Sequence, residues 1–457
     1  ARTFTPVDLL VIMVANRMSS TQSTFTQLTH RLINMHVALV GILAITTVSA
    51  RVGLHSSDTF TQLHLGPYLV ADGEIFEHMD VRIEAKVVRP NVDRQRSIVP
   101  EWPWESSMHF YGSVISLGRE TRMYYACNVG GPPPNTTSGK AKASERAEAH
   151  ARSGGTDGSS AVCVAISSDN GTTWTKPNLT EVPYKNYTHT NMVFTSASGW
   201  IDSVLKLPDN MPAMPGIPEG TQFLLAFDDA TTDVTFRGLQ LAVSTDGYHF
   251  EKINPQPVLP ESFADTSVSM VYDPVSMEFV AYGRYDGYPD QHPGMKCGNM
   301  TPDYNMKSVR AVRKATSHMG IMNFSSSNIT TPFAFDVLDP QCLDIYNTAA
   351  SVVSNGAHMW STQATERAYV AFPAVFHHFG TAVNDGVLDV RFVFSRDGDT
   401  FRYIAGDRRS YISRGFGSST DSGSLFNQPD DGVPARWDAG LTYMYKGVVD
   451  SGDGYQH

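Results

Sequence analysis

The chain has 457 residues, 41% of them hydrophobic and only 18% charged, with a formal net charge of −11. That is enough length and apolar content to bury a large core. The acidic balance and the lack of a long basic run exclude a nucleic-acid binder, because phosphate neutralisation needs clustered Lys and Arg.

In chain order, the first feature is the apolar run Val37-Ala38-Leu39-Val40-Gly41-Ile42-Leu43-Ala44-Ile45, which ends in the small-x-small pattern Val48-Ser49-Ala50. A spanning helix needs about 20 apolar residues, so the run is expected to be a signal peptide within a leader of residues 1–50. Membrane association is expected only if that leader stays uncleaved, and the mature protein is expected to be secreted. The sequons at Asn135, Asn170, Asn178, Asn186, Asn299, Asn323 and Asn328 agree with an extracellular glycoprotein. The cysteines are Cys127, Cys163, Cys297 and Cys342. An even number permits two disulfides in three pairings, of which Cys127–Cys163 and Cys297–Cys342 are the local choices, with four buried thiols as the alternative. No Cys/His spacing suggests zinc, and neither metal nor cofactor is expected.

Residues 51–100 read as short strands, including Tyr68-Leu69-Val70 and Val81-Arg82-Ile83-Glu84-Ala85, leading to Trp102. Beyond it one motif recurs: Ser168-Asp169-Asn170-Gly171-Thr172-Thr173-Trp174, Ser244-Thr245-Asp246-Gly247-Tyr248-His249-Phe250 and Ser395-Arg396-Asp397-Gly398-Asp399-Thr400-Phe401, with a worn copy at Ala315-Thr316-Ser317-His318 before Phe324. An apolar strand precedes each clear copy, Gly supplies positive φ, and Asp bonds nearby backbone N–H groups, so the motif closes a hairpin at a sheet's outer edge. A single hairpin signal every ~75 residues points to the four-stranded blades of a β-propeller. Blades are expected at about 102–190, 191–260, 261–335, 336–425 and from 430. This predicts an all-β fold, a five-bladed propeller of antiparallel four-stranded blades over residues 51–457, its last blade incomplete. Lys140–Arg152 reads as a surface insertion.

Further stretches carry a resemblance. Gly66-Pro67-Tyr68-Leu69-Val70-Ala71-Asp72-Gly73-Glu74-Ile75, Trp102-Pro103-Trp104-Glu105, Gly238-Leu239-Gln240-Leu241-Ala242-Val243-Ser244, Leu343-Asp344-Ile345-Tyr346-Asn347 and Trp437-Asp438-Ala439-Gly440 are similar to propeller proteins related to the family 32 glycoside hydrolases. The resemblance implies the five-bladed fold shared by invertases, levansucrases and arabinanases. The family's Asn-Asp-Pro-Asn box and Arg-Asp-Pro triplet are absent.

In a propeller the innermost strand of each blade lines the axis, and an acid falls near that phase in each blade: Glu105, Asp202, Asp265, Asp344 and Asp438. Glycoside hydrolysis needs one protonated carboxyl and one base or nucleophile. By position in the resembling family, Glu105 would be the base or nucleophile and Asp202 the stabiliser. Asp344 is expected as general acid, with Asp265 its rival. Trp104, Tyr346, Trp437, Asp265 and Asp438 are the expected sugar contacts, and His109, Arg284, Arg310 and Arg313 are candidates for hydroxyls or an anionic sugar. His377-His378 has no partner at metal-ligand spacing, and Asp228-Asp229 reads as a turn. The leading expectation is a secreted glycosidase acting on an oligo- or polysaccharide. A non-catalytic glycan-binding propeller and a sialidase, which needs three convergent arginines, are the alternatives.

Overall fold

The computed structural model describes residues 49–51, 62–64, 98–105, 107–128, 160–169, 171–195, 201–229, 238–264, 267–289, 308–317, 320–324, 330–340, 342–354, 367–378, 386–403, 406–413 and 442–447. The leader run, the strands expected at 68–70 and 81–85, and the insertion at 140–152 lie outside them. The chain divides into two compact units, Leu9–Val87 and the remainder. In the smaller unit β1 (Ser49–Arg51) pairs antiparallel with β2 (Gln62–His64).

Among the described residues the larger unit holds four sheets, each built from strands taken in sequence order. Sheet 1 is β3 (Ser107–Ser116), β4 (Thr121–Asn128), β5 (Ser160–Ser167) and β6 (Met192–Thr195). Sheet 2 is β7 (Ile201–Lys206), β8 (Phe223–Asp229), β9 (Gly238–Ser244) and β10 (Glu251–Lys252), with β11 (Leu259–Pro260) also on β9 and a single helical turn α1 (Glu261–Ala264) after it. Sheet 3 is β12 (Ser269–Asp273), β13 (Glu278–Pro289), β14 (Ser308–Ser317) and β15 (Thr330–Phe333). In sheet 4, β16 (Leu343–Ser354) and β17 (Arg367–His378) lead to β18 (Gly386–Val390), which pairs with β17, and then to β19 (Val393–Ser395) and β20 (Arg402–Tyr403). The strand pairs are antiparallel throughout. The boundary expected at 191 falls one strand early, because β6 completes sheet 1.

The first strands of consecutive sheets are neighbours, β3 with β7, β7 with β12 and β12 with β16. Serine hydroxyls stitch them together. Val204 N–H donates to Ser113 Oγ at 2.9 Å, Met270 N–H to Ser203 Oγ at 3.1 Å, and Ala350 N–H to Ser269 Oγ at 2.9 Å. Between the sheets lie apolar layers. Tyr124, Val164, Leu225 and Phe250 fill sheet 1 to sheet 2, Leu224, Leu241, Met270 and Phe279 fill sheet 2 to sheet 3, and Val280, Tyr282, Val375 and Phe401 fill sheet 3 to sheet 4. This is a β-propeller, in which radial packing protects the sheet edges.

Four blades, not the expected five, form among the described residues. Of the strand expected at 440–445, residues 442–445 are described, and they join no further sheet. Instead, Thr442 N–H donates to the Leu388 carbonyl at 3.2 Å, while Lys446 forms a parallel bridge with Ser113 and exchanges backbone bonds with Gly112 and Val114. The segment 442–447 therefore ties β18 to β3.

The repeated motif joins the third strand of a sheet to the fourth, as expected, with one change of register. The serine that bonds the turn is Ser167, not Ser168. Ser167 Oγ accepts from Gly171 N–H at 2.8 Å and donates to Asp169 Oδ1 at 2.8 Å. Ser244 and Ser395 do the same for Gly247 and Gly398. The hydroxyl of Thr173, then its N–H, hold the Asp169 carboxyl down at about 2. Asp246 is shifted down as well, the N–H donors of His249 and Tyr248 outweighing its desolvation. Gly247 and Gly398 have φ of +79° and +76°, and each meets a tyrosine hydroxyl of another sheet. Tyr124 OH donates to the Gly247 carbonyl at 3.0 Å and Tyr282 OH to the Gly398 carbonyl at 3.1 Å.

Cys127 and Cys163 form a disulfide between β4 and β5, one of the two local choices. Cys342 is also disulfide-bonded, and Cys297 lies outside the described residues. Replacing both Cys127 and Cys163 by Ala is expected to cost about 2–4 kcal/mol in urea unfolding, through the freed unfolded chain. A midpoint and slope equal to those of the parent would show that the crosslink is dispensable.

Candidate functional site

The first strands carry irregularities where they approach the axis. In the β7–β8 ladder Ile201 faces Phe227 and Ser203 faces Ala226, so Asp202 is an extra, bulged residue. In the β16–β17 ladder Ile345 faces Val375 and Asn347 faces Ala374, which makes Tyr346 the bulged residue. In the β3–β4 ladder the register shifts between His109 and Ser113, a stretch that includes Tyr111. A bulge turns a side chain out of the alternating pattern, and bulges gather beside active sites.

Those residues build a polar cluster. Tyr111 and Tyr346, from sheets 1 and 4, bring their hydroxyls within 2.6 Å of each other. The Tyr443 ring lies 5.7 Å from Tyr111 and 6.5 Å from Tyr346. Burial pushes the Tyr111 phenol far up, and the other two tyrosines add to this, so it stays a neutral hydroxyl. Two residues before Tyr346, buried Asp344 accepts from Arg310 N–H at 2.5 Å through Oδ1. Its Oδ2 faces His378 Nε2 at 3.3 Å and Arg310 Nε at 3.4 Å. Arg310 Nε is also 3.3 Å from Asp286 Oδ1, which lies 3.0 Å from the Nε of buried Arg284. Asp286 is exposed, so the chain of ion pairs runs from a buried carboxylate to the surface. Phe376 packs on the His378 ring at 4.5 Å.

Asp202 is wholly buried, and its Oδ1 accepts from Val268 N–H at 2.7 Å. Buried Lys446 donates its ammonium to the Asp202 carbonyl and to Ser267 Oγ. Burial lowers the Lys446 amine to about 7, against the pull of the Asp202 charge. An unfolded lysine keeps its proton to a higher pH, so the unfolded state binds more protons between about pH 7 and 10.5. Stability is therefore expected to rise across that window, and the rise to be missing from Lys446→Met. Parallel stability–pH curves for the two proteins would rule out this lysine as the source.

Of the residues expected from sequence, the structure brings Asp344 and Tyr346 together with Arg284 and Arg310, and places Asp202 beside Lys446 on the segment that also carries Tyr443. Glu105 and Trp104 make their bonds elsewhere. Glu105 is wholly buried: Oε1 accepts from Tyr125 OH at 2.6 Å, and Oε2 from Lys176 Nζ at 2.8 Å, Glu101 N–H at 2.9 Å and Trp102 N–H at 3.2 Å. Trp104 is buried and donates to Asn191 Oδ1 at 2.8 Å. Arg313 bonds the backbone carbonyls of Arg284 and Ser262 and lies over the Phe263 and Tyr285 rings, a packing role. Asp228 and Asp229 end strand β8 rather than forming a turn. Asp265, Trp437 and Asp438 lie outside the described residues. Tyr111, Tyr443, Asp286, His378 and Lys446 were not expected. Strand pairing, a register shift in β3 and the docking of 442–447 bring them in, and nothing in the local sequence marks those.

No family model matches the chain and no curated protein is similar to it. Among solved structures it is similar to a glycosyl hydrolase from Bacteroides ovatus, with 13% identity over 72% of this chain and 82% of that one, at a TM-score of 0.37. It is also similar to Zg3597, a family 117 glycoside hydrolase of the marine bacterium Zobellia galactanivorans, with 12% identity over 69% and 78%, at 0.33. A Cellvibrio cellulosa α-L-arabinanase shares 9% over 61% and 71%, at 0.26.

Proposed function

We propose that the protein is a carbohydrate-active propeller, a secreted glycoside hydrolase-like enzyme that cleaves an oligo- or polysaccharide at the axial cluster. The observation that carries this reading is Asp344, a buried carboxylate at the start of a first strand, set between Arg310 and His378 and next to three tyrosines. Glycosidic cleavage asks for such an anion together with a second carboxyl. We assign the pair to Asp344 and Asp202. Two cationic or donor groups on Asp344 Oδ2 suit the base or nucleophile better than the general acid expected from sequence. Tyr111, Tyr346 and Tyr443 offer ring faces and hydroxyls to a sugar, and Arg284 and Arg310 offer donors beside Asp286. In this reading Asp265, Trp437 and Asp438 complete the sugar contacts. Residues 1–50 act as the cleaved leader.

The test is turnover of a broad panel of polysaccharides and aryl glycosides by the parent, Asp344→Asn and Asp202→Asn, with folding checked for each. A second reading, a glycan-binding propeller without catalysis, draws on one observation: Glu105, where the resembling family would have its base, is fully engaged inside the protein. Glycan binding with no turnover on any substrate would select it.

A further inference from the structure

Adjacent strand residues point to opposite faces of a sheet. In β4, Tyr124 faces sheet 2, whereas Tyr125 joins a separate apolar layer with Trp104, Tyr184, Met192 and the Cys127–Cys163 pair. Two aromatic rings emerge over this second layer. Trp102 is 43% exposed and Tyr187 is 44% exposed.

Neither ring is loosely held. Trp102 stacks on Trp104 with centroids 5.4 Å apart and planes 5° from parallel, and Tyr187 meets the same ring edge-on at 5.4 Å. Trp104 is itself anchored on Asn191, and the Trp102 N–H is held by Glu105. Tyr187 sits in a tight turn closed by reciprocal backbone bonds with Tyr184, of 2.9 and 2.8 Å. At its corner Lys185 takes a φ of +50° and lays its ammonium over the Tyr184 ring at 5.0 Å. Glu101, next to Trp102 in sequence, and Lys185, Asn186, Thr188 and His189, on either side of Tyr187, are all exposed.

Large apolar groups held rigid at the surface mark a binding site, since the ordering cost of binding is already met by the fold. Flat apolar rings with a rim of donors and acceptors match a pyranose, whose C–H face is apolar and whose edge carries hydroxyls. Trp102 and Tyr187 both touch Trp104, so one short oligosaccharide can reach both. We propose that Trp102 and Tyr187 form a surface platform that binds a pyranose ring of a neutral polysaccharide, holding the chain on sheet 1 apart from the axial cluster. The platform extends the carbohydrate reading above but requires no catalysis.

The experiment is native affinity electrophoresis of the full chain through gels containing xylan, mixed-linkage β-glucan, laminarin or dextran. The protein is produced without N-glycosylation, so that Asn186 is bare. At least one polysaccharide is expected to retard the parent and Asp344→Asn equally. Trp102→Ala and Tyr187→Ala are each expected to weaken that binding up to about tenfold. Trp102→Phe, which keeps the stack on Trp104, serves as the fold-safe variant and is expected to fall between. A shift in tryptophan fluorescence on adding the matching oligosaccharide is expected in the parent and not in Trp102→Phe. Failure of all four polysaccharides to retard the parent would overturn the platform, as would unchanged retardation of the Trp102→Ala/Tyr187→Ala double variant. Binding lost in Asp344→Asn alone would overturn the platform and leave the axial reading standing.

Discussion

Asp344→Asn is expected to lower turnover on any glycan the protein cleaves by about 10²–10⁴, the span a positioned acid–base group contributes. The substitution is nearly isosteric. It keeps an acceptor for Arg310 N–H, at 2.5 Å in the parent, while removing the charge that faces Arg310 Nε and His378. The effect should therefore fall on kcat more than on KM, because hydroxyl contacts from Tyr111, Tyr346 and Arg284 are untouched. A companion variant, Tyr111→Phe, deletes the 2.6 Å contact with Tyr346 and should act mainly on KM. If Asp344→Asn retained full kcat on a substrate that the parent cleaves, the assignment of this carboxylate to the reaction would be wrong.

The second large effect is on stability. Glu105→Ala is expected to destabilise the protein by about 3–5 kcal/mol, as removal of one member of a buried ion pair does. The Lys176 side chain is only 6% exposed, so its charge would be left buried with only the exposed Glu101 carboxylate, 3.5 Å away, and the Val99 carbonyl to offset it. The Tyr125 hydroxyl and the N–H groups of Glu101 and Trp102 would lose an acceptor in the same step. Adding Lys176→Met should recover part of the loss, and the double-mutant cycle would isolate the coupling between the two groups. The outcome also tests the role that the resembling family would give Glu105. A variant with parental stability but no turnover would restore Glu105 to the catalytic pair and displace Asp202.

The repeat made the fold readable because its chemistry is local. Each Ser-x-Asp-Gly turn carries its own hydroxyl, carboxylate and positive-φ glycine, so the hairpins and their spacing were visible before any packing was known. Asp202 and Asp344 stand out in the sequence as acids at the start of apolar strands, and Tyr346 follows two residues after Asp344. The rest of the cluster depends on which residue of a ladder is left over. Tyr111 reads as one of several alternating aromatics until the register shift between His109 and Ser113 turns it toward Tyr346. His378 lies at the end of β17 and reaches Asp344 only because those two strands pair. Glu105 shows what the sequence leaves out. It stands where an axial acid was expected, yet a lysine 71 residues away in sequence claims it. Such distant pairings leave no mark in a single sequence.

The hydroxyls of Tyr124 and Tyr282 change the meaning of the repeat. The residue facing the stitching serine on the second strand is Tyr124 opposite Ser113 in sheet 1 and Tyr282 opposite Ser269 in sheet 3. Each reaches forward to the glycine carbonyl in the turn of the next sheet. At either glycine an added Cβ would come within 2.6 Å of that hydroxyl, so the tyrosine and the glycine are one fitted joint. In sheet 2 the matching position, opposite Ser203, is Ala226. The turn it would meet, in sheet 3, is the worn copy, in which Met319 stands in place of the Asp while Gly320 keeps the glycine position. The tyrosine and the glycine therefore meet at two junctions, whereas the sheet 3 turn keeps its glycine without the tyrosine. The interchangeable part of this propeller is then not a blade but a junction, half of it borne by each neighbour. A blade moved into another propeller would keep its turn only if the blade before it travelled too.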